Sequence, residues 1–333
     1  MKNFLVTGGC GFIGSCFVIK QIEAGKKVVN LDKLTYAANP ANLKDIDQNP
    51  NYHFVKGDIC NQNLVSKILK DHDIDFVVNF AAESHVDNSI SNPESFITTN
   101  INGTFAMLNA SLAYWQNLQG QKQQDFRFVH VSTDEVYGSL SLEDPKFTEE
   151  NKYQPNSPYS ASKAASDHLV RAWFETYKLP AIITNCSNNF GARQHQEKFI
   201  PTVIKSCLAG KDIPIYGNGQ NIRDWIYVEN HCHGIELAIK NGKVGEKYCF
   251  GGDAEMQNID IAHKICAILD QIKPKSDGKS YAKQIKFVED RKGHDFRYAV
   301  DSSKAKESLG FEIKDDFAEK LETTIKWYLN KNQ

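Results

Sequence analysis

"TGGCGFIG", residues Thr7 to Gly14, decides how this 333-residue chain is to be read. It follows a short apolar run, "KNFLVT", and opens a helical pattern over residues 13–24. Gly9, Gly11 and Gly14 satisfy G-x-G-x-x-G, while Gly8, Gly11 and Gly14 satisfy G-x-x-G-x-x-G equally well. Glycines so spaced permit a tight turn, close backbone approach to a pyrophosphate at a helix N-terminus, and close helix–strand packing. A second strand, "KKVVNLD", ends at Asp32, 18 residues beyond Gly14. A carboxylate there accepts hydrogen bonds from an adenosine ribose and repels a 2′-phosphate, which favours NAD over NADP. Lys33 beside it works weakly against that preference.

Outward from this motif, short β-branched runs alternate with helical patterns. "YHFVKGD" is followed by a helix near residues 64–70, then "DFVVNFAA", a long helix over about 93–115, and "FRFVHVS". The alternation predicts right-handed βαβ units and a doubly wound parallel sheet of Rossmann type, α/β in class. Beyond residue 185 the rhythm loosens into loops such as "NCSNNFGARQHQEK" and "IYGNGQNIRDW", before a last helix over 317–329. The expected organisation is an NAD-binding domain over 1–185. A smaller C-terminal lobe over 186–333 mainly binds substrate, with some segments returning to the main sheet.

Composition excludes several function classes. Hydrophobic residues make up 41% and charged residues 24%, as in globular proteins, and the formal net charge of −2 offers no footprint for nucleic acid or an anionic membrane. No apolar run reaches membrane-spanning length, and the N-terminus enters a strand without a signal peptide. Eight cysteines without a CxxC pair imply reduced thiols and a cytoplasmic protein. "HCH" at His231–His233 lies in a helical pattern, so no metal site is expected.

Two further stretches carry chemistry. In "SPYSASKAASD", Tyr159 and Lys163 stand four apart, on one face of a helix. Tyrosine is a poor base at neutral pH, and a lysine ammonium with a positive nicotinamide nearby would favour its phenolate. In "STDEVYG", residues 132–138, Asp134 and Glu135 sit where the strand over 126–131 ends. Open parallel sheets place ligands outside the carboxyl ends of their strands.

Over nearly its whole length the chain resembles the extended short-chain dehydrogenase/reductase superfamily and, within it, the dTDP-glucose 4,6-dehydratases. The motifs are "TGGCGFIGS", "LDKLTYAAN", "FVKGDI", "NFAAESHVDNSI", "VSTDEVYG", "SPYSASKAASDHLVRAW", "TNCSNNFG", "GNGQNIRDWIYVENHC" and "EDRKGHDFRYAVD". Related epimerases generally lack both strand-end acids, and related decarboxylases generally lack the Asp. The resemblance implies a nucleotide-sugar dehydratase. Tyr159, aided by Lys163, would take the proton from the hydroxyl on carbon 4, and Thr133 would bond that oxygen. Glu135 would remove the proton on carbon 5, and Asp134 would protonate the hydroxyl leaving carbon 6.

The expected NAD shell comprises Gly8, Gly11, Phe12, Ile13, Gly14, Asp32, Lys33, Thr35, Asp58, Ile59, Phe80, Ala81, Ala82, Thr99, Tyr159, Lys163 and Asn189. Ser84, Thr133 and Asn188 would line the sugar, with Glu197, Lys198, Arg223, Asn258, Arg291 and His294 holding the rest of a nucleoside-diphosphate sugar. Arginine forks suit a diphosphate. The superfamily also implies a homodimer through the helices over 93–115 and 159–177. The chain departs from the family at "NNFGARQHQEK", at Asn88, at Cys249 and in ending at "WYLNKNQ". Those changes are expected around sugar and base, so a UDP- or GDP-linked hexose or N-acetylhexosamine stays open as substrate. A nucleotide-sugar decarboxylase and a non-catalytic NAD-binding protein are the more distant alternatives.

Overall fold

Strands rich in Val, Ile and Phe that are apolar on both faces need cover on both, and this chain supplies it with helices. The computed structural model describes residues 2–331. Its first six strands are β1 (Asn3–Thr7), β2 (Lys27–Asp32), β3 (Tyr52–Lys56), β4 (Phe76–Asn79), β5 (Arg127–Thr133) and β6 (Ala181–Cys186). After β7 (Asn188–Phe190), β8 (Ile213–Tyr216) and β9 (Ile222–Tyr227), β10 (Lys247–Phe250) returns to pair with β6. The result is a seven-stranded parallel sheet in the order β10-β6-β5-β4-β1-β2-β3. The direction of winding reverses between β1 and β4, where Thr7 lies level with Asn79. That reversal opens a crevice at the carboxyl ends of these strands.

One face is covered by the helices Phe12–Glu23 and Val228–Asn241, through Phe17, Val18, Ile235 and Ala238. The other is covered by Gln62–Asp71, Thr104–Gln116 and Pro158–Tyr177, through Leu69, Met107, Leu108 and Val170. The first core continues without a break into the later part of the chain, taking in Ile204, Ile265, Leu321 and Ile325. There β9 pairs with β7, with β11 (Glu255–Gln257) and with β13 (Arg297–Tyr298), while β12 (Ile285–Val288) pairs with β8. The closing helix is Phe317–Lys331. No helix among the described residues is long and apolar enough to cross a membrane.

The single helix expected over 93–115 is interrupted. A short turn, Glu94–Phe96, gives way to a π-helical stretch, Ile97–Gly103, before the regular helix begins at Thr104. The buried Asn100 accounts for the interruption. Its Oδ1 accepts the Glu83 N–H (2.9 Å), and its Nδ2 donates to the Glu83 carbonyl (3.0 Å) and to Ser162 Oγ (2.8 Å). Helical wide turns of this kind concentrate at functional sites. Here one amide ties the segment after β4 to the helix bearing Tyr159. Asn100→Ala strips both Glu83 backbone groups of their partner, and about 2 kcal/mol of stability should be lost. A urea midpoint equal to that of the parent protein would refute this account.

Candidate active site

The glycine-rich turn settles its own ambiguity. Gly8 has φ +70°, and a Cβ there would lie 2.9 Å from the Ala81 backbone at the end of the neighbouring strand. A Cβ on Gly14 would overlap the Gly8 carbonyl, whereas a Cβ on Gly11 would meet only that carbonyl, at 3.2 Å. Gly8, Gly11 and Gly14 all line the crevice. Gly9 instead packs against the Asn30 side chain of β2, so the working triplet is Gly8-Gly11-Gly14. This cradle, with backbone exposed at the start of the helix Phe12–Glu23, fits a dinucleotide pyrophosphate.

Asp32, buried at the end of β2, accepts the Cys10 N–H (2.9 Å) and the Leu34 N–H (2.8 Å), so it also fixes the turn it serves. Lys33, next to Asp32 in the chain, is occupied by Asp58 at 2.6 Å. Phe12, Ile13, Thr35, Ile59, Phe80, Ala81, Ala82 and Thr99 complete that wall of the cavity, which ends at Tyr159, Lys163 and Asn189. Asn189 is aimed from outside the motif. Its Nδ2 donates to the Ser187 carbonyl (3.0 Å), leaving Oδ1 to accept from His231 Nδ1 (2.9 Å). Burial pushes the His231 imidazole down to about 3, so the ring is a neutral donor. Part of "HCH" thus orients a cavity residue, a role that sequence pattern did not reveal. Among the described residues no three His, Cys, Asp or Glu converge on a metal position.

The helix Pro158–Tyr177 starts where it must. Ser157 accepts the Ser160 N–H (3.1 Å), Ser160 Oγ accepts the Ser157 N–H (3.0 Å), and Pro158 occupies the first turn. Tyr159 and Lys163 are thereby held beneath the strand end, and Lys163 Nζ donates to the Val131 carbonyl at 2.9 Å. Burial pushes the Lys163 ammonium down to about 8, against the pull of Asp167 and Cys186. Burial, followed by the Glu135 carboxylate, pushes the Tyr159 hydroxyl well up, opposed by its hydrogen bond with Thr133. The lowered tyrosine pKa expected from Lys163 is not found in the protein alone, where desolvation and then the Glu135 carboxylate raise it. The positive nicotinamide ring is the remaining contribution to a phenolate.

β5 runs out into a single 3₁₀ turn, Asp134–Tyr137, capped by Thr133, whose Oγ1 accepts the Glu135 N–H (3.3 Å) and donates to Asp134 Oδ1 (3.2 Å). Asp134 is 2% exposed, and its Oδ2 has no partner. Burial, then Glu135 and Asp224, hold its carboxyl well above the usual range. Glu135 is also raised by burial, but Lys198 and Arg223 restrain it. Adjacent carboxyls with unequal environments are the arrangement that gives one acid and one base.

Glu135, Ser84, Asn188, Glu197 and Lys198 line both this cavity and a second one that continues it. Arg223, Asn258, Arg291 and His294 line the second cavity. Arg223 is buried, with Nη2 on the Asp295 carbonyl (3.0 Å) and its guanidinium 4.3 Å from the Tyr298 ring centre. Arg291 is gripped by Asp87 at 2.6 and 3.1 Å and lies over Tyr216. Lys198 donates to the Ser84 carbonyl (2.8 Å), and His294 contacts Asp290 (2.7 Å). Sequence reasoning missed Asp87, Tyr216, Trp225 and Tyr298, which share this lining. Asp87 lies inside "ESHVDNSI" and could have been found there.

The fold places two of the departures from the family pattern. Cys249 is wholly buried on β10, its N–H on Glu149 (2.7 Å) and its Sγ 3.6 Å from Tyr137 Oη, outside both cavities. Gln194 and His195 of "GARQHQEK" line the cofactor-side cavity, where Tyr328 of the last helix donates to the Gln194 carbonyl (2.5 Å). β10 turns Cys249 into the core, and the chain after β7 folds back toward the glycine turn. Neither position could be read from the motifs alone.

Residues 5–324 match the model of a family described as GDP-mannose 4,6 dehydratase. The chain is 53% identical over 329 residues to the dTDP-glucose 4,6-dehydratase of Xanthomonas campestris, covering 99% of this chain and 93% of that protein. Among solved structures, it resembles dTDP-glucose 4,6-dehydratase from Bacillus anthracis in complex with NAD, with 41% identity, TM-score 0.88 and coverage of 100% and 98%. It is also 41% identical, with TM-score 0.89 and coverage of 99% and 98%, to the Streptomyces venezuelae dTDP-glucose 4,6-dehydratase with NAD and TYD bound.

Burial lowers the Lys163 ammonium to about 8, so the help its charge gives to a Tyr159 phenolate should be lost, and nicotinamide reduction should fall, as pH rises through that value. Single-turnover absorbance across pH checks this. A rate flat well beyond pH 8 would show that the Lys163 charge is not required.

Proposed function

The chain belongs to the GDP-mannose 4,6-dehydratase family, and on that premise we propose that it dehydrates a nucleoside-diphosphate hexose, dTDP-glucose, to the 4-keto-6-deoxy product. It is an NAD-dependent hydro-lyase. One observation carries the reading: Asp134 and Glu135 stand together at the end of β5, facing the cavity that also holds Tyr159 and Lys163. A decarboxylase or an NAD-binding module has no use for this full set.

NAD, when bound, supplies the chemistry of oxidising carbon 4 and later reducing carbon 6. The chain's own residues move the protons. Tyr159 accepts the proton from the hydroxyl on carbon 4, with Thr133 bonded to the same oxygen. The resulting ketone acidifies carbon 5, and Glu135 removes that proton. Asp134, kept protonated by burial and by Glu135, delivers its proton to the hydroxyl leaving carbon 6. Glu135 then returns its proton to carbon 5. Ser84 and Asn188 line the sugar, and Lys198, Arg223, Asn258, Arg291 and His294 serve the diphosphate and nucleoside, with Glu197 between. The segment 1–185 binds the cofactor, and 186–333 mainly the substrate.

The protein is a cytoplasmic homodimer in this reading. All eight cysteines are free thiols. Phe105 and Tyr177, 45% and 47% exposed, lie on the two helices that would pair, and both rings contact Trp173. Light scattering should give a dimer, and Phe105→Glu should shift it to a monomer; a monomeric parent at micromolar concentration would reject the assignment.

Asp134→Asn and Glu135→Gln should each lower turnover of dTDP-glucose by about a hundredfold or more, the usual worth of a positioned acid or base. Both should still show nicotinamide reduction on mixing with substrate, because neither acid acts in the first step. Exchange of the carbon 5 proton with deuterated solvent should slow most in Glu135→Gln. Two variants turning over like the parent would remove the dehydratase mechanism.

A further inference from the structure

His130, in the middle of β5, is a titratable side chain that the mechanism leaves unused. It is wholly buried, and its Nε2 lies 3.4 Å from Lys163 Nζ, 3.2 Å from Ser166 Oγ and 3.5 Å from Asp167 Oδ1. Its Nδ1 lies 3.2 Å from Asn79 Nδ2 on the adjacent strand β4. Asn79 Oδ1 in turn receives the Thr7 hydroxyl at 2.6 Å, and Thr7 Oγ1 accepts the Ala81 N–H at 3.2 Å. At the other end, Ser166 Oγ donates to the Lys163 carbonyl at 2.8 Å.

Both ends of this chain are backbone groups whose polarity is fixed, and they agree. Thr7 Oγ1 accepts the Ala81 N–H on a lone pair, and its own buried proton goes to Asn79 Oδ1. The NH2 of Asn79 therefore faces Nδ1 of the ring, which must be bare. The ring proton sits on Nε2 and goes to Ser166, whose own proton is committed to the Lys163 carbonyl, a group that can only accept. Flipping the Asn79 amide would leave the buried Thr7 hydroxyl without its acceptor, a costly loss. Protonating Nδ1 would set one N–H against another at 3.2 Å, whereas the Nε2 proton has Ser166 Oγ to accept it at 3.2 Å, and the Lys163 ammonium, 3.4 Å away, donates to the Val131 carbonyl instead.

We propose that Asn79 and His130 are positioning residues for the reaction: they lock the His130 ring as the neutral Nε2–H tautomer, so that Lys163 remains the single cation beneath Tyr159. The ring fills the space behind Lys163 without adding charge, and through Ser166 it anchors the helical turn that carries Lys163. Burial and the Lys163 charge both hold the imidazole well below its ordinary pKa. The other titratable groups in this space are Asp167, on the helix with Lys163, and Cys186 on β6; Asp167 is occupied on its far side by Tyr153 (2.9 Å) and Asn185 (3.2 Å). The same chain passes through Thr7, immediately before Gly8, so one line of hydrogen bonds links the cofactor turn to the catalytic lysine. The inference rests on the role given to Lys163 above.

The test uses the full-length protein as purified, with its histidine rings labelled with ¹⁵N. One ring, identified by its loss in His130→Gln, should show the Nε2–H pattern unchanged from about pH 6 to about pH 9, where an ordinary histidine would titrate. Asn79→Asp places an acceptor against Nδ1, so the ring should become an imidazolium beside Lys163. The alkaline limb of nicotinamide reduction should then move down by about one pH unit. His130→Gln, which cannot take the charge, should keep the limb where the parent has it and should restore it in the Asn79→Asp background. A parent ring that titrates or carries its proton on Nδ1 overturns the proposal. So does a folded Asn79→Asp enzyme with the parent's limb, or a His130→Gln enzyme whose limb moves. Should Asn79→Asp fail to fold, the parent spectrum and His130→Gln alone decide. Nicotinamide reduction surviving intact in Lys163→Met would instead sink the role of Lys163, without touching the tautomer.

Discussion

Desolvation of a small group of ionisable side chains is the constraint on which the rest of the structure depends. Asp134, Glu135, Tyr159 and Lys163 share a space largely closed to water, where a charge is held only by a specific partner. Burial alone would neutralise all four. The protein differentiates them by what each is given: Glu135 has the cations Lys198 and Arg223, Lys163 has the Val131 carbonyl and the Asp167 carboxylate, and Asp134 has the like charges Glu135 and Asp224, against which Arg223 and a threonine weigh less. Two adjacent carboxyls of one turn are thereby given unequal environments, as the proposed donor and acceptor require.

The scaffold exists to hold that space against a dinucleotide. The close approach of Gly8 to Ala81 brings the ends of β1 and β4 together at the point where the winding reverses. Asn100 then joins the segment after β4 to the helix carrying Tyr159, at the cost of a break in its own helix. β9 brings Arg223 and β13 brings Tyr298 over the opening, while Asp87 presents Arg291. The later part of the chain shares its core with the sheet, so its contribution to the site is fixed by packing and not by a hinge alone.

Much of this was legible in the sequence because it is local. The spacing of glycines after an apolar strand, a carboxylate ending the next strand, and the four-residue spacing of Tyr159 and Lys163 each follow from the geometry of one turn or one helix. The resemblance extended that reading to Glu197, Lys198 and the residues beyond them, all of which line the cleft. What escaped was non-local. His231 meets Asn189 across 42 positions, and Arg291 meets Asp87 across 204. The choice between Gly8 and Gly9 turned on which one faces Ala81 and which faces Asn30. The placing of Cys249 turned on which face of β10 it occupies.

By itself, the sequence determined the sheet, the glycine-rich turn and the candidates for the reacting groups, because hydrophobic period, glycine spacing and helical register act over a few residues. Only the tertiary structure decided the charge states. The sign of the Tyr159 shift depends on how deeply its hydroxyl is buried and then on how near Glu135 comes to it, although the sequence pairs it with Lys163. The tautomer of His130 depends on an N–H of Ala81 and a carbonyl of Lys163 at opposite ends of a buried chain. Charge in a desolvated site is set by every group within a few ångströms, and that neighbourhood is assembled only when the strands and helices meet.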